Sequence, residues 1–408
     1  MAVILVAPHQ TKTDGPRTLA LVSLAHWVSH FHMLVLPMLI PFLKTALGIG
    51  YIELGFALTT FAVVTALSQT PVGYLVDHFG ARKILLLGLT LGGLSLVLIG
   101  LHPSYPVLIA GAVLLGLANS VYHPANYAIL AAHMDDARMG RAFSIHTFAG
   151  YLGFALAPAI VGALTSWIGG VGALIVSGAI GVIAALLLVL FGVPEASGSR
   201  HRGAGVAPSQ NIVSAALIML TAFFTLLGLS SAGINNFGVV ALMNGYGASF
   251  SAANFALTSF LAAGAIGVLA GGFLADHTQR HGQFAAICFG INAAIVLLIA
   301  LVVLPQVLLV TAMTAAGFLG GVIAPSRDML VRNAAPPGAM GRAFGIVSTG
   351  FNFAGILSPL LFGWVMDRNL PHWVFGLSAV FMALTVVLAL FTEQKPARLA
   401  PASSPNHY

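Results

Sequence analysis

The chain has 408 residues, of which 59% are hydrophobic and only 6% charged, and its mean hydropathy is +0.99. So few charges cannot cover a soluble domain of this length, so lipid is the solvent for most of its surface. The formal charge of +6 is scattered over short loops, with no basic and aromatic patch, which excludes a nucleic-acid partner.

A helix crosses the hydrocarbon core in about 20 apolar residues, and lipid leaves helices as the way to satisfy the backbone within one segment. Residues 1–17 read as a cytoplasmic tail, because the short apolar run before HQTKTDGPR lacks the basic start and cleavage site of a secretory signal. Six spans are predicted at 18–43, 52–76, 84–101, 105–131, 142–166 and 169–193. A Gly, Ser and Pro-rich linker follows at 194–210. Six more spans are predicted at 211–242, 250–275, 284–304, 307–331, 342–366 and 371–392, then a second cytoplasmic tail at 393–408. With the amino terminus inside, Lys44 and Arg368 are the basic residues that face out, Arg327 lies within span ten, and the rest sit on the cytoplasmic side. The single cysteine, Cys288, lies in a span and reads as packing.

The second half repeats the first. FALTTF at Phe56 to Phe61 returns as FALTSF at Phe255 to Phe260, and GYLVDH at Gly73 to His78 returns as GFLADH at Gly272 to His277, both 199 positions on. MGRAF at Met139 returns at Met340, and Pro158 maps onto Pro359, both 201 positions on. So small a drift makes 18–193 and 211–392 parallel homologous six-helix bundles.

Gly73, Leu75, Asp77, Gly80, Arg82 and Lys83 match the loop signature of the major facilitator superfamily between spans two and three, and the chain resembles that family over essentially its whole length. The resemblance implies an all-α membrane protein with twelve transmembrane helices, in which this loop is a latch that shuts one side. Physically, Gly73 would let two helices approach closely, and Asp77 could accept hydrogen bonds from a helix N-terminus or pair with arginine. Asp276 is the equivalent acid in the second half, where the basic slots are mostly lost. Tyr122, His123 and Pro124, with Ser23 and His26, resemble the fosmidomycin-resistance group of exporters, although His30 stands where that group has an acid. Gly153, Ala157, Pro158 and Gly162 partly match a motif that accompanies antiporters.

The resemblance also implies that spans one, four, seven and ten line a central path. Span one carries His26 and His30 four residues apart on one helix face, with His32 turned away by about 200°. Span four carries Asn119, His123 and Asn126 on one stripe, with Tyr122 beside it; span seven offers Asn235 and Asn236. In span ten, the repeat maps Arg327 onto Asn126, and Asp328 is the only carboxylate inside a span. These nine positions (His26, His30, Asn119, Tyr122, His123, Asn126, Asn235, Asn236 and Arg327) are the expected substrate contacts, with His26, His30, His123 and Asp328 as proton carriers. Each has a plain rival, a hydrogen bond to a neighbouring helix.

The expected solute is a drug or small organic anion, exported in exchange for protons by a protein acting as a monomer in the inner membrane. Proton-coupled uptake is the alternative, and a non-transporting receptor is a third reading. No cofactor is expected; His26 and His30 have ligand spacing, but span one adds no Glu, Asp or Cys, so a dedicated metal site would need His123 as a third ligand. The sequence carries no HExxH, no phosphate-cradling glycine loop and no nucleophile with a base, which argues against an enzyme.

Overall fold

The structure is a computed structural model that describes residues 15–195, 214–278, 280–335 and 340–393. Among them it is entirely helical, with helices α1 (Gly15–Met38), α2 (Ile40–Leu47), α3 (Tyr51–Phe79), α4 (Ala81–Leu101), α5 (Tyr105–His133), α6 (Asp136–Leu190), α7 (Ala215–Tyr246), α8 (Phe250–Asp276), α9 (His281–Leu301), α10 (Gln306–Ala334), α11 (Met340–Asp367) and α12 (His372–Glu393). Eleven of these are long and apolar enough to cross a membrane. Most of both predicted tails and of the linker fall outside the described residues, and α1 already begins at Gly15, inside the predicted first tail.

Most predicted ends shift by a few residues, and two spans differ in kind. Span one bends at Leu39, between Pro37 and Pro41, and continues as the short α2. Proline supplies no N–H to the helix ladder, so two of them four residues apart weaken it at that point. Spans five and six run on as one helix, α6, broken only at Gly169, whose φ of 73° is a left-handed conformation that glycine adopts without a Cβ clash. α2 and α7 end on left-handed Gly48 and Gly247, while the Ser214 and Ser249 hydroxyls accept from backbone N–H groups in the first turns of α7 and α8.

In the first half α1 packs along α6, and α4 packs against both α5 and α6; in the second α8 packs on α10, α9 on α12, and α7 on α11. The halves meet along α3–α11 and α6–α8, with α1 and α2 touching α7. Every hydrogen bond between them among the described residues lies away from the end that carries the termini: Tyr51 and Ile52 to Asp367, Thr59 to Ile356, and Asn244 to Tyr51. At the termini end Tyr74, Leu75, Phe273 and Leu274 of α3 and α8 are exposed. The hydrogen bonds that join the halves thus gather toward one end of the bundle.

Candidate functional site

The three histidines of span one part company. His32 is buried and bonds through Nε2 to the Ser177 carbonyl of α6 at 3.0 Å, which fixes it between helices. His26 and His30 lie on a different face, opposite a groove in α6. His146, Gly150 and Gly153 follow at steps of four and three, so they share one side of that helix. A side chain at Gly150 would sit 2.7 Å from His26 Nε2 and 3.0 Å from His30 Nε2, and one at Gly153 would meet the Trp27 carbonyl. Glycine there lets α1 sink onto α6 with both imidazoles in the hollow.

Four imidazoles consequently gather between α1, α5 and α6. His26 lies 4.5 Å from His30, 5.3 Å from His123 and 4.0 Å from His146 by ring centroid, the last pair stacked at 18°. His26 and His146 are 4% and 0% exposed; His30 and His123 are half-buried and 6.4 Å apart. Nδ1 of His26, Nδ1 of His30 and both nitrogens of His146 find no hydrogen-bond partner. Buried polar atoms without partners are costly, and each such atom in a native structure calls for an account. No three His, Cys, Asp or Glu side chains among the described residues are arranged to hold a metal ion.

Sequence reasoning left His146 out of the site. Its signal is the two glycines that follow it on the same face, which mark the docking surface for another helix.

The stripe on α5 divides. His123 joins the cluster, and Asn119 shares a small cavity with Ser29, His32 and Tyr122. Tyr122 is buried against α4, its hydroxyl donating to the Gly88 carbonyl at 3.3 Å, and Asn126 is fully buried with neither side-chain polar atom partnered. The polar stripe of α5 is thus spent largely on its own half, Asn119 lying with Ser29 and His32 of α1 and His123 with His26 and His30.

In the second half Asn235 and Asn236 are half-buried on α7, with Asn235 Oδ1 buried and unpartnered. Arg327 donates from Nε and Nη2 to one carboxylate oxygen of Asp328, both at 2.8 Å. Its guanidinium also lies 5.0 Å from the Phe224 ring and 5.4 Å from Phe351, a cation held by aromatic faces of α7 and α11. The Arg327 side chain is 16% exposed and that of Asp328 47%, so this pair remains open to solute.

The loop signature looks different from the expected latch. A Cβ on Gly73 would have no atom within 4 Å, so the close helix approach is absent here; its repeat partner Gly272 is equally open. Both glycines stand near the termini end of their helices, Gly73 on α3 and Gly272 on α8. Asp77 is exposed and makes no ion pair or hydrogen bond among the described residues, and Lys83 is exposed. Glu195 takes the role at the α4 N-terminus instead, accepting from the Arg82 backbone N–H at 3.1 Å and lying against Gly80, whose φ is 95°. The side chain of Asp276 is outside the described residues.

The family model of the Major Facilitator Superfamily matches residues 22–237 and 218–406. The chain is 26% identical over 406 residues to the fosmidomycin resistance protein of Escherichia coli strain K12, covering 95% of this chain and 96% of that one. It is 32% identical over 147 residues to probable anion transporter 5 of Arabidopsis thaliana, covering 36% and 34% of the two chains. Its fold is that of a bacterial homologue of the human lysosomal transporter Spinster, solved inward-facing and occupied, with a TM-score of 0.76 at 16% identity over 92% of this chain and 96% of that one. With twelve spans in two repeated halves and a matching family model over both, this multi-pass membrane protein belongs to the Major Facilitator Superfamily.

Proposed function

We propose that the chain is a proton-coupled exporter of a drug or small organic anion, working by alternating access with both termini in the cytoplasm. The observation that carries the reading is the cluster of four imidazoles with unpartnered nitrogens. Imidazole exchanges protons near neutrality. Charges this close repel, so the cluster holds one proton rather than several. A neutral ring nitrogen accepts a hydrogen bond from a solute O–H or N–H, and a protonated one cannot. Proton and solute therefore exclude each other at His30 and His123, the half-buried members. Arg327 holds the anionic part of the solute, with Asn235 and Asn236 adding neutral polar contacts and Phe224 and Phe351 the apolar walls. The cytoplasm-facing state then loads solute, and the outward-facing state trades it for a proton. Asp77 and its loop close behind it.

The Arg327–Asp328 pair favours a second reading, proton-coupled uptake. Protonating Asp328 frees Arg327 for an anion, so proton and anion bind together, and coupling of that sign gives symport.

The test is growth of an efflux-deficient bacterium on a panel of antibiotics and toxic organic anions that includes fosmidomycin, comparing wild type with a His26→Ala/His30→Ala variant at matched expression. Export predicts protection by the wild type alone. Equal protection by both would leave export standing and remove the histidines from it. Sensitisation by the wild type, with acid-driven anion uptake in vesicles, would establish the symport reading instead.

A further inference from the structure

We infer that Asp367 is the clasp that holds the end opposite the termini shut. Gly50, the residue before α3, has no side chain to cap that helix. The cap comes from the other half of the protein: Asp367, the last residue of α11, accepts from Tyr51 N–H through Oδ1 and from Ile52 N–H through Oδ2, each at 2.8 Å. Both oxygens of a carboxylate thus meet the free donors and the positive pole of a helix, a charge-assisted contact.

The surroundings fit a made joint. A side chain at Gly50 would stand 3.1 and 3.2 Å from the two Asp367 oxygens. Gly363 lies against the Tyr51 carbonyl and Gly55 against the Pro359 carbonyl, so the two backbones touch over the two turns that lead inward from the clasp. Asn244 of α7 donates to the Tyr51 hydroxyl at 2.8 Å, tying a second helix to the same turn. Among the described residues no other carboxylate bonds across the halves. Opening this end separates α3 from α11 and breaks both Asp367 bonds. With Asp77 unengaged at the opposite end, the two acids are alternates: one is engaged only when the other is not.

The experiment needs neither solute nor proton gradient, so its outcome is separate from that of the export reading. In purified full-length Cys288→Ala protein, spin labels at His78→Cys and His277→Cys report the termini end, and labels at Trp167→Cys and Leu301→Cys report the opposite end; distances are read by double electron–electron resonance. Asp367→Asn removes the charge while retaining an acceptor. It is expected to raise the population with a short 78–277 and a long 167–301 distance by about tenfold. Gly50→Ala, whose methyl meets the Glu53 carboxylate first and crowds both Asp367 oxygens at 3.1 and 3.2 Å, should shift the same populations in the same direction by a smaller factor. Distributions that superimpose on the parent for both variants would overturn the assignment.

Discussion

Replacing Gly317 with alanine should destabilise the protein by on the order of 2 kcal/mol. This glycine sits where α8 and α10 cross backbone on backbone: a Cβ on it would run into the Phe260 carbonyl, one on Gly321 into the Gly264 carbonyl, and one on Gly271 into the Val322 carbonyl. A carbonyl tied into its helix cannot rotate away, so the helices must part. Alanine gains up to about 1 kcal/mol over glycine in helix propensity. Overpacking costs about 1–3 kcal/mol, and parting the helices forfeits contacts along the whole crossing, which sets the balance on the destabilising side. The assay is thermal unfolding of the detergent-solubilised protein followed by size-exclusion fluorescence, where a fall of a few degrees is expected. Gly73→Ala is the matched control, because its new methyl enters open space and leaves only the propensity gain. A Gly317→Ala protein as stable as Gly73→Ala would refute the argument that backbone contact at this crossing excludes a methyl group.

Gly169→Ala should cost roughly 1–2 kcal/mol through φ alone, since no atom lies within 4 Å of its Cβ position; the same thermal assay should show a loss that Gly73→Ala lacks. Phe224→Leu removes one of the two rings over Arg327, so the apparent affinity for an anionic solute should fall roughly fivefold with the maximal rate little changed, as read in vesicle transport.

The fold was legible because lipid makes its demands locally: an uninterrupted apolar run must be a helix, and the internal repeat shows which runs correspond. The bend at Leu39 and the fusion of spans five and six at Gly169 were harder to read, since each depends on how one or two residues turn the chain. The candidate site was legible in part. His26 and His30 share a face by spacing, as expected, but spacing does not say what that face meets, and the answer lay in Gly150 and Gly153 on a helix more than a hundred residues away. Tyr122 and Asn126 were assigned to the path from their place on α5, whereas neighbouring helices bury them. Gly73 was read as a close-approach glycine, whereas no atom lies within 4 Å of its Cβ position. Asp367 is a helix-end acid in the sequence, and nothing local to it names the partner turn 316 residues earlier.

At the end opposite the termini the connections are short: 48–50, 102–104, the single residue Gly169, 247–249, 302–305 and 368–371. Turns of this length have almost no slack, so helices joined there swing as hinged pairs, and any displacement of α6 on one side of Gly169 is handed directly to the other side. That face also offers little for a protease to thread or an antibody to grip, so proteolysis of sealed vesicles should cut the protein from one side of the membrane only.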